Sequence, residues 1–280
     1  MGLKEENMGE LTNPIVYDRA ALLSVMRSIA LEAGELILKI YADPIEFTRK
    51  DDGSPVTRAD TLADAAITAK LQILDPSIPI VSEESADIGL NFQEANRFWL
   101  VDPLDGTKEF INHNGEFTVN IGLIEKGVPV AGVVYAPALG CLYAGAVGVG
   151  AFKEDDRTGG GRIPIVSQPH NLESLVMVQS RSHADHEAIM AYLKKAQIAK
   201  TKAIGSSLKL CLIAEAQADL YPRLGRTMEW DIAAGDAVLR SAGGKVVNVM
   251  GEELRYGKLG FENPYFVALC KGLNLSDLTG

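Results

Sequence analysis

Residues 99–110 read WLVDPLDGTKEF, an apolar run that meets two acids, a proline and a glycine. Phe98 to Val101 has the continuous apolar character of a buried strand, and Asp102 is expected to end it. Pro103 supplies no N–H and holds its backbone rigid, Leu104 can turn its carbonyl inward, and Gly106-Thr107 opens a helical turn. The side chains of Asp102 and Asp105 can then converge. Two carboxylates and a carbonyl are hard oxygen donors of the kind Mg2+ prefers, and the N–H groups after Asp105 are free to hold an anion. The plain alternative is a strand-ending turn with an aspartate cap, because Asp-Pro and Asp-Gly are common turn dipeptides. On this stretch alone the two readings weigh equally.

The chain around it has 280 residues, 47% hydrophobic and 23% charged, which suits one large domain or two intimately packed ones. A net charge of -10 argues against a nucleic-acid polymer as partner, since neutralising phosphates needs a basic face. Cys141, Cys211 and Cys270 stand apart in apolar surroundings without metal-ligand spacing, so they read as reduced core residues. With a polar, acidic first dozen residues and no run of about 18 apolar residues, integral membrane association is not expected. The expected location is cytoplasmic, at most peripheral at the inner face of the membrane.

Helical spacing of Leu22, Val25, Met26, Ile29, Ala33, Leu36, Ile37 and Ile40 predicts an amphipathic helix over 22–41. A second helix is expected from near Asp60, after a charged turn with Asp51, Asp52, Gly53 and Pro55. Strands follow at 79–82, 98–101, 117–124 and 128–136, the last two joined by Glu125-Lys126-Gly127. Gly145, Gly148 and Gly150 read as a glycine-rich hairpin. Beyond the loop tip DDRTGGGR (155–162), strands at 174–180, 219–222 and 245–249 alternate with helices at 206–217 and 231–242. The expected organisation is a polar tail (1–13), an α+β subdomain with a largely antiparallel sheet (14–165), and an α/β subdomain (166–280).

Further acids sit at the ends of apolar elements, where sheet-based folds gather site residues. Glu83-Glu84 follow the strand PIVS, Asp231 opens a helix after Trp230, and Asp60 opens its own. Each has a plain reading as a solvated pair or an N-cap. Together with DPLDGT (102–107), WDIAA (230–234), GTKEF (106–110), NGEFTVNIGLI (114–124), GVVYAP (132–137), SRSH (180–183) and GSSLK (205–209), they resemble the inositol monophosphatase superfamily of lithium-sensitive, metal-dependent phosphatases. The likeness extends to its 3'(2'),5'-bisphosphate nucleotidase branch, in particular the bacterial enzymes of sulfur assimilation. It spans roughly residues 20–270, with several separate motifs in order.

The resemblance implies a layered αβαβα sandwich and a phosphomonoesterase that removes the 3'-phosphate of adenosine 3',5'-bisphosphate. It implies that Glu83, Asp102, Asp105, Asp231 and the Leu104 carbonyl hold two or three Mg2+ ions per site. Asp60 and Thr107, with Glu83, are the expected catalytic residues. Substrate contacts are carried onto Glu83, Leu104, Asp105, Gly106, Thr107 and Asp231, and onto His183, Gly205, Ser206, Lys209 and Arg223 in the second half. For Ser206, ordinary capping, and for Lys209 and Arg223, a solvated surface charge, are equally weighted alternatives. His183 and His186 read as loop residues rather than a metal pair. Phosphatases with an aspartyl nucleophile place nucleophile and acid two positions apart; the three-residue spacing here favours attack by metal-activated water. The expected partner is a small nucleotide, and the expected state monomer or homodimer. Competing functions are an inositol or sugar phosphate phosphatase on the same scaffold and a non-catalytic metal- or phosphate-binding protein.

Overall fold

The computed structural model describes residues 18–50, 55–86, 89, 92, 95–168, 171–181 and 186–279, so the polar tail and the charged turn at 51–54 lie outside the described residues. In chain order the elements are α1 (Arg19–Tyr41), β1 (Phe47–Arg49), β2 (Pro55–Thr57), α2 (Arg58–Leu74), β3 (Ile80–Ser82), β4 (Arg97–Asp105), α3 (Thr107–Ile111), β5 (Thr118–Glu125), β6 (Val128–Ala136), β7 (Cys141–Ala146), β8 (Gly150–Asp155) and β9 (Ile163–Ile165). They continue as β10 (Leu175–Ser180), α4 (His186–Tyr192), β11 (Ile198–Ile204), α5 (Leu208–Ala214), β12 (Leu220–Arg223), α6 (Glu229–Ser241), β13 (Lys245–Asn248) and β14 (Phe266–Leu269).

Strands β3 to β9 form a seven-stranded sheet in sequence order, antiparallel throughout except for the β3–β4 pair. The second sheet runs β11-β10-β12-β14-β13, parallel at β11-β10-β12 and antiparallel beyond. Helices α1 and α2 bury Leu23, Met26, Ile37, Ile67 and Leu71 against Trp99, Val101, Ile121 and Val133 on one face of the first sheet. The opposite face joins Leu210, Ile213 of α5 and Val238, Leu239 of α6 to the second sheet and to Ile189 of α4 in one continuous core. The result is the layered αβαβα sandwich. Covered on both faces, β4 to β6 are near-continuous apolar runs, which is why they are legible as strands. Among the described residues no helix is long and apolar enough to cross a membrane.

Three glycines seat α6. Gly122, Gly132 and Gly145 lie side by side across β5, β6 and β7. A Cβ on Gly132 would stand 2.3 Å from the Ala234 carbonyl oxygen, one on Gly122 3.2 Å from the Ala234 nitrogen, and one on Gly145 2.9 Å from Ser241 Cβ. The helix therefore rests on bare backbone.

Several boundaries differ from the sequence reading. Strand β4 does not stop at Asp102 but runs to Asp105, and between these two residues its register on β5 passes from Asn120 to Thr118. Three steps on β4 face two on β5, so Asp102-Pro103-Leu104-Asp105 is a bulge, where proline's missing N–H is tolerated. The helix placed at 206–217 is confined to Leu208–Ala214, because Ser206 and Ala216 take positive φ values of 47° and 59°. His186 opens α4 rather than lying in a loop, and it stays exposed. The three cysteines are free and buried, as expected.

Candidate active site

The bulge in β4 and the first turns of α2 and α6 supply the acids. Asp60 and Asp231 occupy the same position, third in their helices, and each carboxylate turns back to accept the N–H of the residue before the helix: Thr57 at 2.7 Å and Met228 at 2.8 Å. Thr57 adds its hydroxyl at 2.6 Å to the same Asp60 oxygen, Oδ2. Asp60 Oδ1 is thereby left for the Thr107 hydroxyl, which donates to it at 3.2 Å and lies 3.4 Å from the Leu104 carbonyl. Gly106 connects bulge and helix with φ 90°, and a Cβ there would stand 3.1 Å from the Glu116 carbonyl oxygen, so glycine is required.

Asp102 is buried, with one oxygen accepting the Leu104 N–H at 3.0 Å. Burial, then the charges of Glu83, Asp105, Asp231 and Asp60, hold its carboxyl well above the usual range. Asp231 is raised in the same way, by burial and then by Asp105 and Glu83. Burial also pushes Asp105 up to about 7, against the pull of the Lys209 ammonium and of the Ser207 N–H. Asp60 is raised chiefly by burial, with Thr57 opposing. Glu83 and Glu84 share the Lys50 ammonium, at 2.9 and 2.6 Å.

As they stand, these acids each face a protein donor, and no group of three or more His, Cys, Asp or Glu side chains among the described residues is gathered tightly enough to hold an ion. Their chemistry nevertheless fits one. Burial first, and then the neighbouring carboxylates, raise the proton affinity of Asp102, Asp105 and Asp231, and dications exchanged for those protons would relieve both burial and repulsion. All the donors are oxygens, including the Leu104 carbonyl, which suits a hard cation.

The second half closes the site. Gly205 and Ser206 lie between β11 and α5, and the Ser206 hydroxyl is buried with no hydrogen-bond partner among the described residues. The Lys209 ammonium is buried, not solvated: it donates to the Ser206 carbonyl and, at 3.3 Å, to that of Ile204, and stands 5.3 Å from the Tyr221 ring centroid. Burial lowers its pKa to about 8 although Asp105 opposes the shift. Arg223 is likewise buried, donating to the Arg226 carbonyl at 2.9 Å. His183 lies outside the described residues.

Three contributors were not foreseen. Lys50 comes from the small β1–β2 hairpin, whose exposed residues carry no apolar pattern. Glu109, buried on α3, adds its charge to Asp105 and Lys209. Ser207 is held beneath the loop by Asn120 at 2.6 Å and Thr118 at 2.9 Å. The period-2 polar pair Thr118/Asn120 within an otherwise apolar strand was the available signal for this last network.

The inositol monophosphatase family model matches residues 18–268. The 3'(2'),5'-bisphosphate nucleotidase CysQ of Salmonella typhimurium is 48% identical over 248 residues, 88% of this chain and 98% of that protein. CysQ of Escherichia coli strain K12 is 46% identical with the same coverage. Among solved structures, CysQ from Bacteroides thetaiotaomicron, a bacterial member of the inositol monophosphatase family, superposes with a TM-score of 0.76 at 38% identity, covering 92% of this chain and 99% of that one. An inositol monophosphatase from Anabaena gives 0.71 at 28% identity, covering 90% and 92%. From the bulged acids, the layered sandwich and these relatives alike, the chain belongs to the inositol monophosphatase family.

Proposed function

We propose that this protein is a 3'(2'),5'-bisphosphate nucleotidase that hydrolyses the 3'-phosphate of adenosine 3',5'-bisphosphate to AMP and phosphate, a reaction that clears the by-product of sulfur assimilation. The observation that carries the catalytic reading is the Thr107–Asp60 hydrogen bond beside the buried acids. A site built only to bind needs no proton acceptor at that place.

Glu83, Asp102, Asp105, Asp231 and the Leu104 carbonyl would hold two or three Mg2+ ions. When bound, these would supply Lewis-acid stabilisation of the reacting phosphoryl oxygens and lower the pKa of water. Thr107 Oγ1, donating its own proton to Asp60 Oδ1, keeps lone pairs with which to orient the attacking water and accept its proton as Asp60 takes the hydroxyl's. Asp60 can store that proton because burial has already raised its affinity. Lys209, Ser206, Gly205 and Arg223, with His183, would recognise the nucleotide away from the reacting phosphorus; the two cations suit a second phosphate.

Phosphate release from adenosine 3',5'-bisphosphate and from inositol 1-phosphate, each with and without Mg2+, tests the reading. Mg2+-dependent release that favours the bisphosphate is expected. A preference for inositol 1-phosphate would replace it with a sugar phosphatase, and no release from either would leave a binding protein.

A further inference from the structure

At one end the segment Ile204 to Ser207 is held by the Ser207 hydroxyl, on Asn120 Oδ1 at 2.6 Å and 2.9 Å from Thr118 Oγ1. At its other end the Gly205 N–H donates to Glu116 Oε2 at 2.7 Å. Glu116 belongs to the stretch between α3 and β5, and its Oε1 receives Arg181 Nη2, also at 2.7 Å, with Arg181 Nε 3.3 Å from Oε2. Arg181 in turn donates to the Ala203 carbonyl at 3.1 Å, one residue before the segment. The contact is close as well as polar. A Cβ on Gly205 would lie 2.7 Å from Glu109 Cγ and 2.9 Å from the Glu116 carbonyl oxygen, so backbone presses on backbone here. Between the anchored Gly205 N–H and the anchored Ser207 hydroxyl sits Ser206, at φ 47° and with its buried hydroxyl unpartnered among the described residues. A non-glycine residue keeps such a conformation only when its surroundings hold it there.

We infer that Glu116 is a positioning residue, oriented by Arg181, whose carboxylate fixes the Gly205–Ser207 segment in its substrate-binding shape. The inference rests on the proposed nucleotide specificity for its kinetic consequence, but the anchoring itself does not depend on the substrate. Through its carboxylate Glu116 hydrogen-bonds to Gly205 and Arg181 rather than to the acids. Its carboxylate does two separable things: it accepts from the Gly205 N–H, and it pairs with a guanidinium. An amide in place of the acid keeps an acceptor for Gly205 and loses the charge, whereas arginine can accept from neither.

Four variants separate the two roles: Glu116→Ala, Glu116→Gln, Arg181→Ala and the charge swap Glu116→Arg with Arg181→Glu. Hydrogen exchange at the Gly205 amide, measured on the full chain without substrate, should be protected in the parent and in Glu116→Gln, and at least tenfold faster in Glu116→Ala and in the swap. The KM for adenosine 3',5'-bisphosphate should rise about tenfold in Glu116→Ala with kcat within about twofold, and about threefold or less in Glu116→Gln and Arg181→Ala, as expected for one partly exposed, charge-assisted hydrogen bond. KM for p-nitrophenyl phosphate, which lacks a second phosphate, should change less than twofold. A swap that restores both exchange protection and KM would overturn the proposal, since the ion pair alone would then suffice. So would unchanged Gly205 exchange in Glu116→Ala, or an equal loss of kcat on both substrates. If the parent does not turn over the bisphosphate, the proposed specificity fails, and the exchange result still decides the anchoring.

Discussion

Replacing Asp105 by Asn should stabilise the ion-free protein while destroying its response to Mg2+. The carboxyl sits at about 7 instead of its ordinary 3.8. At about 1.36 kcal/mol per pH unit, this corresponds to ~4 kcal/mol against folding once the group is ionised. The sign follows from the direction of the shift. A raised acid destabilises the native state fully above its folded value, and the effect vanishes below the unfolded one. Part of it survives the substitution, because Lys209 loses a favourable partner and is itself buried. A net gain of about 2 kcal/mol at pH 8 remains, or roughly 3–4 °C in Tm for a chain of this size. Near pH 4 the gain should be gone. Thermal unfolding from pH 4.5 to 8.5 in chelator, repeated in saturating Mg2+, measures it: the ion should raise the parent's Tm and leave Asp105→Asn nearly unmoved. Equal pH profiles for the two proteins in chelator would refute the claim that burial raises the Asp105 carboxyl, and equal Mg2+ shifts would remove Asp105 from the ligands.

Turnover by Asp105→Asn should fall at least a thousandfold at saturating Mg2+ with the far-ultraviolet dichroism unchanged. Lys209→Ala should raise KM for adenosine 3',5'-bisphosphate tenfold or more, and distinctly less for a monophosphate substrate; steady-state kinetics on both checks this. Millimolar or lower Li+ should inhibit in an uncompetitive or mixed pattern, read from a Li+ series at fixed Mg2+, with K+ at equal ionic strength inert. Gly132→Ala should cost about 3 kcal/mol or more in denaturant unfolding, since its Cβ would lie 2.3 Å from a carbonyl oxygen of α6.

What could be read from the chain alone follows from how far each signal reaches. The strands β4 to β6 and helix α1 announce themselves because burial on a face imprints an apolar period on neighbouring residues. The acids at their ends were visible for the same reason, as polar residues at the limits of apolar runs. Strand β11, IAKTKAI, escaped because it is an edge strand, exposed or at most half-buried along its whole length, so burial imprints no apolar alternation on it. For Lys209 the solvated-charge reading carried equal weight, yet α5 buries it; nothing within a turn of the chain reveals that Tyr221 and the Ser206 carbonyl wait for its ammonium. The hairpin that brings Lys50 to Glu83 spans a separation of 33 residues, and no local pattern encodes such a meeting.

The glycine seat beneath α6 has a bearing on how this protein can change. Asp231 is carried on the first turn of that helix, and its depth is gauged by contact between main chains, not by the fit of interchangeable side chains. Gly145 meets the helix at Ser241, ten residues on, or about 15 Å along the axis. A methyl group added there would act on Asp231 as a shim acts on the far end of a beam. Gly205, by contrast, is held from outside this seat, by the Glu116 carboxylate. The depth of Asp231 and the hold on Gly205 thus rest on separate contacts, main chain against main chain in one case and a carboxylate in the other.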